Sequence, residues 1–231
     1  MSVLIIAEIG VNHQGSENHA YKLIDYAVES GADCVKFQLF KPELLTDDAG
    51  RRRMLEGLLL RRDAYVRLYE YCKGKGIGFA CTAFDVDSLE YLLRNTQMRF
   101  IKISSGQENN GKLLEFAEEY AAIENMEVIQ SIKPDAVFEF RQCWKYLHVI
   151  PEYPTPPRRA QLWRLKHYSG LSDHSGDIFM PLAAVALGAK IIECHITLDK
   201  NQEGPDHKAS LTPDQFKVMV RGIRAIEEGL A

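Results

Sequence analysis

Short apolar segments alternate along the chain with longer amphipathic segments. Eight short segments are rich in valine, isoleucine and phenylalanine, and they cover residues 3–8, 34–39, 77–82, 100–104, 127–131, 146–150, 168–171 and 190–195. Segments this short and this apolar are typical of parallel strands that are buried on both faces. The pattern therefore predicts eight strands of one parallel sheet.

Amphipathic helices are predicted between these strands. Apolar residues recur at helical spacing over residues 16–31, 63–73, 86–94, 112–122, 134–144, 177–187 and 213–228. Ser16 is placed to cap the first helix and Gly31 to end it, and a capping-box sequence begins at Thr212. Eight strands with crossover helices predict an α/β fold, a (β/α)8 TIM barrel that forms a single domain over residues 1–231. An open doubly wound sheet is the alternative, and the polar segment 41–62 is either a lid or a simple connection.

Composition narrows the class of protein. The chain has 46% hydrophobic and 26% charged residues and a formal net charge of -4, which is typical of a globular protein. We expect no nucleic-acid partner, because there is no basic stripe, and no membrane segment, because no apolar run has spanning length. The first residues do not have the form of a signal peptide. Five scattered cysteines without CxxC spacing predict reduced thiols, a cytoplasmic location and no structural zinc site.

Polar side chains follow all eight predicted strands, at the end where a barrel of this kind builds its site. Lys36 and Lys102 lie inside apolar strands, where an ammonium group is costly unless it meets an anion. The hydroxyl groups near the same strand ends are those of Thr82, Ser105 and Ser131. Ammonium and hydroxyl donors together predict a cradle for a phosphate or a carboxylate. The alternative is a structural ion pair of a buried lysine with Glu8 or Glu193.

Two histidines follow neighbouring predicted strands. His174 and His195 are placed to share a divalent metal ion, with Asp206 or a water molecule completing its coordination. Either histidine alone is more often a hydrogen-bonded structural group. His13 and His207 are alternative ligands.

Six motifs, in order along nearly the whole chain, resemble those of the sialic acid synthase family. They are AEIGVNHQG at 7–15, VKFQLF at 35–40, FIKISSG at 100–106, EYPTPP at 152–157, GLSDHSG at 170–176 and ECHITLDKNQEGPDHKASL at 193–211. The resemblance implies a barrel that condenses phosphoenolpyruvate with an N-acetylated aldose such as N-acetylmannosamine. The products would be phosphate and a nonulosonic, sialic-acid-like acid. It also implies a divalent metal ion, Mn²⁺ first and Mg²⁺ or Co²⁺ as substitutes.

The resemblance assigns roles by motif. His174 and His195 correspond to the metal ligands, and Glu8 and Asp206 are expected to face the acceptor sugar or a metal-bound water. The expected phosphoenolpyruvate site consists of Lys36, Thr82, Lys102, Ser105, Ser131, Tyr153 and Ser172.

Three departures from the family pattern stand out. Gln107 stands where the family has an acidic residue, and Glu108 follows it. Glutamine cannot transfer a proton, so either Glu108 substitutes for the acid or the chain is a non-catalytic, regulatory barrel that binds phosphoenolpyruvate. Pro151 replaces an asparagine, and CTAFD at 81–85 replaces STPFD. A barrel lyase or isomerase that does not use phosphoenolpyruvate is a third hypothesis.

Typical members of the family continue into a small antifreeze-protein-like domain that contributes to acceptor binding, whereas this sequence ends at Ala231. We therefore expect a different acceptor sugar, or a lid supplied by a homodimer partner or by a separate polypeptide.

Overall fold

The eight predicted strands close into a barrel. The computed structural model describes residues 2–230, and in it each strand pairs in parallel with the next and the last with the first. The strands are β1 Leu4–Gly10, β2 Cys34–Leu39, β3 Gly78–Ala83, β4 Ile101–Ile103, β5 Val128–Ile132, β6 Trp144–Val149, β7 Gly170–Asp173 and β8 Ile191–His195. The barrel prediction is confirmed, and the open doubly wound sheet is wrong.

Helices surround the barrel. They are α1 Glu17–Ser30, α2 Pro42–Leu45, α3 Ala49–Glu56, α4 Ala64–Lys75, α5 Val86–Asn95, α6 Gly111–Glu124, α7 Phe179–Ala186 and α8 Pro213–Gly229. The side chain of Ser16 accepts a hydrogen bond from the backbone of His19, and Gly31 ends α1 with φ at 82°. Both halves of the capping box at Thr212 are formed. Local signals therefore predicted these helix ends correctly.

The predicted helix over residues 134–144 is wrong. This connection between β5 and β6 has no helix, and Trp144 already belongs to β6. The rings of Phe138 and Phe140 pack on Tyr146, with centroids 5.2 and 5.4 Å apart, and the Tyr146 hydroxyl accepts a hydrogen bond from the Arg141 backbone at 2.7 Å. Aromatic and β-branched residues have modest helix propensity, so these tertiary contacts decide the conformation.

The polar segment 41–62 is ordered by its own small core. It contains α2 and α3, and Leu55 and Leu58 pack with Val11 and Phe40. Phe84, which follows β3, also packs on this cluster and lines the mouth of the barrel. The segment therefore forms part of the wall around the barrel mouth. Between β6 and β7 the chain forms two 3-10 helices, Pro157–Arg159 and Leu162–His167.

An apolar layer fills the lower half of the barrel interior. Its side chains are those of Ile6, Cys34, Ala80, Phe100, Ile129, Leu147 and Ile191. On β7 the same level is occupied by Gly170, where a Cβ atom would lie 1.9 Å from the backbone oxygen of Ile191. A side chain does not fit there, so this close approach requires glycine. The larger hydrophobic core lies between the barrel and the helices.

Among residues 2–230, no helix has both the length and the apolar character needed to span a membrane.

Candidate active site

A layer of polar side chains lies two residues beyond the apolar layer on seven of the eight strands. We call it the polar layer, and its members are Glu8, Lys36, Thr82, Lys102, Ser131, Ser172 and Glu193. Side chains two residues apart on a strand point to the same face, so the two layers are stacked inside the barrel. On β6 the equivalent residue is Val149. The change from apolar to polar occurs at the carboxyl ends of the strands, where barrel enzymes build their sites.

Lys36 connects three strands. Its Nζ atom lies 2.6 Å from Glu8 Oε2 and 3.7 Å from Glu193 Oε2, and it donates a hydrogen bond to Thr82 Oγ1 at 2.8 Å. Glu8 also accepts a hydrogen bond from Gln38 at 3.0 Å. Burial lowers the pKa of Lys36, but the charges of Glu193 and Glu8 outweigh it and raise that pKa above its ordinary value. Lys36 is therefore a buried cation at neutral pH.

Lys102 is held on the other side of the barrel. Its Nζ atom donates to Ser131 Oγ at 2.8 Å and lies 3.6 Å from Glu193 Oε1, which accepts a hydrogen bond from Ser172 at 2.8 Å. Burial, with the charge of Lys36 adding to it, lowers the pKa of Lys102 to about 8 despite the nearby Glu193 carboxylate. The structural ion pairs considered as the alternative are thus present in the barrel.

The two carboxylates of the polar layer have opposite pKa shifts. Burial raises the pKa of Glu8 to about 7, although Lys36 opposes this shift. Burial also acts to raise the pKa of Glu193, but Lys102 and Lys36 together hold that pKa at about 2. Glu193 is therefore the permanent counter-ion of both lysines.

These charges are not needed to hold the barrel together. A buried ion pair contributes about as much stability as well-packed apolar residues of the same volume, or less. The layer directly beneath shows that this barrel accommodates an apolar interior. Buried charges with perturbed pKa values in a cleft are instead typical of functional sites.

The two histidines stand side by side above the polar layer. The ring centroids of His174 and His195 are 5.4 Å apart, and the ring of Tyr153 stacks on His174 at 4.0 Å. His174 Nδ1 donates to the backbone oxygen of Ile150 at 2.9 Å, so its Nε2 carries the lone pair and accepts from the Tyr153 hydroxyl at 2.9 Å. Burial lowers the pKa of His174 to about 4 and lowers that of His195 well below its ordinary value. Both rings are neutral, which is the form that binds metals.

The donor set fits an open metal site with two protein ligands, provided that the Tyr153 hydroxyl releases His174 Nε2. His195 Nδ1 is buried and has no hydrogen-bond partner among residues 2–230, and Asp206 Oδ2 lies 3.8 Å from it. The hydrogen bond from His174 Nδ1 to a backbone carbonyl is a common way of orienting a metal-binding imidazole. No three His, Cys, Asp or Glu side chains of the described chain are arranged to hold a metal ion. Water or substrate would therefore have to complete the coordination.

One cavity of about 50 Å³ joins the polar layer to the histidines. It brings together ten of the thirteen residues that the sequence singled out, namely Glu8, Lys36, Thr82, Lys102, Ser105, Ser131, Tyr153, Ser172, His174 and His195. Its volume is below the range of drug-sized small-molecule sites. The space is suited to a compact anion rather than to a large ligand.

The other three predicted residues do not line this cavity. Asp206 contacts His195, with Oδ2 at 3.8 Å from Nδ1. Glu108 forms an ion pair with Lys133 at 2.5 Å, and Gln107 accepts a hydrogen bond from Asn110 at 2.8 Å. The residues expected to carry the family's acid chemistry are thus beside the cavity and already have partners.

Five further residues line the cavity that were not selected as site residues from the sequence. They are Gln38, Phe84, Ser104, Val149 and Glu193. Glu193 was considered only as an ion-pair partner. The signal that identifies Gln38, Ser104 and Glu193 is their spacing, since each lies two or four residues beyond an apolar interior position of its strand.

Comparison with known proteins finds relatives in sequence and in structure. The model of a family described as the NeuB family matches residues 23–231. An N,N'-diacetyllegionaminic acid synthase of Campylobacter jejuni is 36% identical over 262 residues, which cover 98% of this chain and 77% of that protein. An N-acetylneuraminate-9-phosphate synthase of Drosophila melanogaster is 34% identical, over 96% of this chain and 67% of that protein.

A solved structure has the same fold over the whole chain. It is an N-acetylneuraminic acid synthetase from Leptospira borgpetersenii, crystallised in complex with citrate. It superposes with a TM-score of 0.91 at 30% identity, covering 100% of this chain and 86% of that protein.

Proposed function

The chain belongs to the NeuB family, and from this premise we propose that it condenses phosphoenolpyruvate with an N-acetylated aldose. The products are phosphate and a nonulosonic acid. The aldose is N-acetylmannosamine or a related amino sugar. Relatives that make legionaminic and neuraminic acids support this reaction class.

The observation that carries the proposal is the convergence of Lys36 and Lys102 with three hydroxyl groups inside one small cavity. Phosphoenolpyruvate has a phosphate and a carboxylate, and it requires several cations and hydrogen-bond donors close together. Thr82 and Ser131 already contact the two lysines at 2.8 Å, and Ser172 contacts Glu193 at the same distance. We assign these residues, with Ser105 and Tyr153, to the phosphoenolpyruvate site.

The lysines have a second role in the reaction. Carbon 3 of phosphoenolpyruvate attacks the aldehyde carbon, water adds at carbon 2, and the tetrahedral intermediate releases phosphate by cleavage of its carbon-oxygen bond. Positive charge develops next to the phosphate oxygen, and the buried lysines neutralise the phosphate as it leaves. Glu8 is the candidate base for the water, because its pKa of about 7 suits proton exchange at neutral pH.

We propose His174 and His195 as the ligands of a divalent metal ion, with Mn²⁺ first and Mg²⁺ or Co²⁺ as substitutes. Such an ion supplies Lewis acidity, which polarises the aldehyde oxygen of the acceptor. Asp206, 3.8 Å from His195, is assigned to orient that histidine or to contact the acceptor.

We also propose a cytoplasmic location and a partner at the open mouth of the barrel. All five cysteines are free, and four of them are buried, which suits a reducing compartment. The cavity opens beside Tyr153, which is 43% exposed. A second copy of the chain, or a separate protein, is the candidate to cover this mouth when the acceptor binds.

The direct test is phosphate release. The protein is incubated with Mn²⁺, phosphoenolpyruvate and a panel of N-acetylated hexosamines, with the Campylobacter relative as a positive control. We expect sugar-dependent release, which Lys102→Met reduces by at least about a hundredfold because a buried phosphate ligand is lost. The matched variant Lys112→Met, at an exposed lysine, should keep full activity. No release with any aldose, while the relative is active, would contradict the proposal.

A second candidate function is favoured by the position of Gln107 and Glu108. Neither residue lines the cavity, and Glu108 is held by Lys133. A barrel without an acid in this place would bind phosphoenolpyruvate and not turn it over. Calorimetry would then detect binding without phosphate release, and Gln107→Glu would be expected to create activity. Slow turnover by the unaltered protein would eliminate this candidate.

A further inference from the structure

A second cavity lies at the other end of the barrel, at the amino ends of the strands. Its volume is about 500 Å³, ten times the 50 Å³ of the cavity above the polar layer. This face of a (β/α)8 barrel ordinarily contributes stability and no chemistry. A large recess there is therefore not explained by the proposed reaction.

The floor of this cavity is apolar. It is formed by Leu4, Phe100 and Ile191, of which Phe100 and Ile191 are buried members of the apolar layer. Phe100 and Ile191 each lie two residues before a charged member of the polar layer, Lys102 or Glu193, which corresponds to about 7 Å along a strand. One layer of side chains thus separates the two cavities, and their ligands would not compete.

The rim of the cavity is basic. Arg99, Lys145 and Lys190 line it, and Glu127 is the acidic residue among its lining side chains. In the part of the chain that the structure describes, none of these three cations lies within 4 Å of a carboxylate. Within residues 2–230, the Arg99 guanidinium donates a hydrogen bond only to the backbone oxygen of Asp33, at 2.8 Å.

The position of Lys145 strengthens this observation. Lys145 belongs to β6 and precedes Leu147, a member of the apolar layer, by two residues. Its side chain therefore lies on the inward-facing side of the strand, at the amino end of the barrel, instead of on the outer surface. A chain with a formal net charge of -4 thus gathers three cations around one apolar recess.

We propose that this cavity binds an organic anion with an apolar or aromatic body. The three cations would hold the anionic group at the rim, and the body would pack on Leu4, Phe100 and Ile191. Sites for small molecules typically combine an apolar lining with a few well-placed polar groups, and the volume of this cavity, about 500 Å³, is within their range. The inference rests on the second cavity alone and does not depend on the proposed reaction.

A fluorescence titration with 1-anilinonaphthalene-8-sulfonate, an aromatic sulfonate, tests the proposal. We expect saturable binding of one molecule per chain, which millimolar phosphoenolpyruvate does not displace. The double variant Lys145→Glu and Lys190→Glu should weaken binding by at least about tenfold, because two attractive charges become repulsive. The control variant Lys22→Glu and Lys112→Glu changes the net charge equally at two exposed lysines and should bind like the parent protein.

Two further measurements keep the test independent of folding. N-phenyl-1-naphthylamine, which lacks the sulfonate, should bind the unaltered protein at least about tenfold more weakly, because it has no group for the basic rim. Raising the salt concentration from 50 to 500 mM should weaken sulfonate binding. The proposal is wrong if the sulfonate does not bind, if the amine binds as tightly, or if both double variants retain the parent affinity.

Discussion

Replacing Glu193 with glutamine tests whether the polar layer is an electrostatic unit. The change removes the carboxylate that lies 3.6 Å from Lys102 and 3.7 Å from Lys36. All three side chains are almost fully buried, so solvent cannot replace the lost charge. Glutamine keeps the size of the side chain and an oxygen for the hydrogen bond from Ser172, so the perturbation is mainly one of charge.

Glu193→Gln is expected to lower the stability of the protein strongly. Removing one partner of a buried ion pair costs about 3 to 5 kcal/mol, because the other partner stays buried without compensation. For a protein of this size, each kcal/mol lowers the melting temperature by about 2 to 4 °C. Glu193→Gln should therefore lower it by roughly 6 to 20 °C. Adding Lys102→Met removes the uncompensated cation. The double variant should therefore recover at least about 2 kcal/mol of the lost free energy of unfolding.

Urea unfolding of the two single variants, the double variant and the parent protein measures this coupling. Glu29→Gln, at an exposed glutamate, is the matched control and should lie within about 0.5 kcal/mol of the parent. A cost below about 1 kcal/mol for Glu193→Gln would refute the reasoning. Strictly additive effects of the two substitutions would refute it as well.

Three other predictions follow from individual contacts. Gly170→Ala should cost more than about 3 kcal/mol in urea unfolding, because its Cβ would lie 1.9 Å from Ile191 O, whereas Gly74→Ala in α4 should be neutral or stabilising. A Gly170→Ala variant with the same free energy of unfolding as the parent protein would contradict this close packing of β7 against β8. Because the pKa of Lys102 is about 8, the Kd for phosphoenolpyruvate measured by calorimetry should rise above pH 8, by up to about tenfold per pH unit. A Kd for phosphoenolpyruvate that stays constant from pH 7.5 to 9.5 would contradict this prediction. His195→Gln should weaken Mn²⁺ binding by at least about tenfold in calorimetry, and equal affinity would exclude His195 as a ligand.

The barrel was predictable because its signals are local. The apolar strand segments and the helix ends at Ser16, Gly31 and Thr212 are encoded within a few residues. The segment 134–144 was not predictable in this way, since its conformation depends on aromatic contacts with Tyr146, a residue outside the predicted helix. The spacing of apolar residues in this segment resembles that of a helix, but Phe138 and Phe140 instead pack on the ring of Tyr146.

The site residues were predictable where a charged side chain interrupts an apolar strand. Lys36 and Lys102 stand out because a lysine inside a buried strand is costly. Glu193 was harder to identify as a site residue, because a carboxylate at a strand end is common, and only the assembled barrel places it between both lysines. Gln107 accepts a hydrogen bond from Asn110, and Glu108 forms an ion pair with Lys133. The spacing of residues in the sequence does not predict these two contacts.

The most direct test of the central claim is the isotopic composition of the phosphate released in water enriched in oxygen-18. The proposed reaction breaks the carbon-oxygen bond of phosphoenolpyruvate, so the phosphate takes no oxygen from solvent. Phosphorus NMR should therefore detect unlabelled phosphate, formed only when Mn²⁺ and an N-acetylated aldose are both present. Labelled phosphate, or release without the sugar, would identify simple hydrolysis and would contradict a carbon-carbon bond-forming synthase.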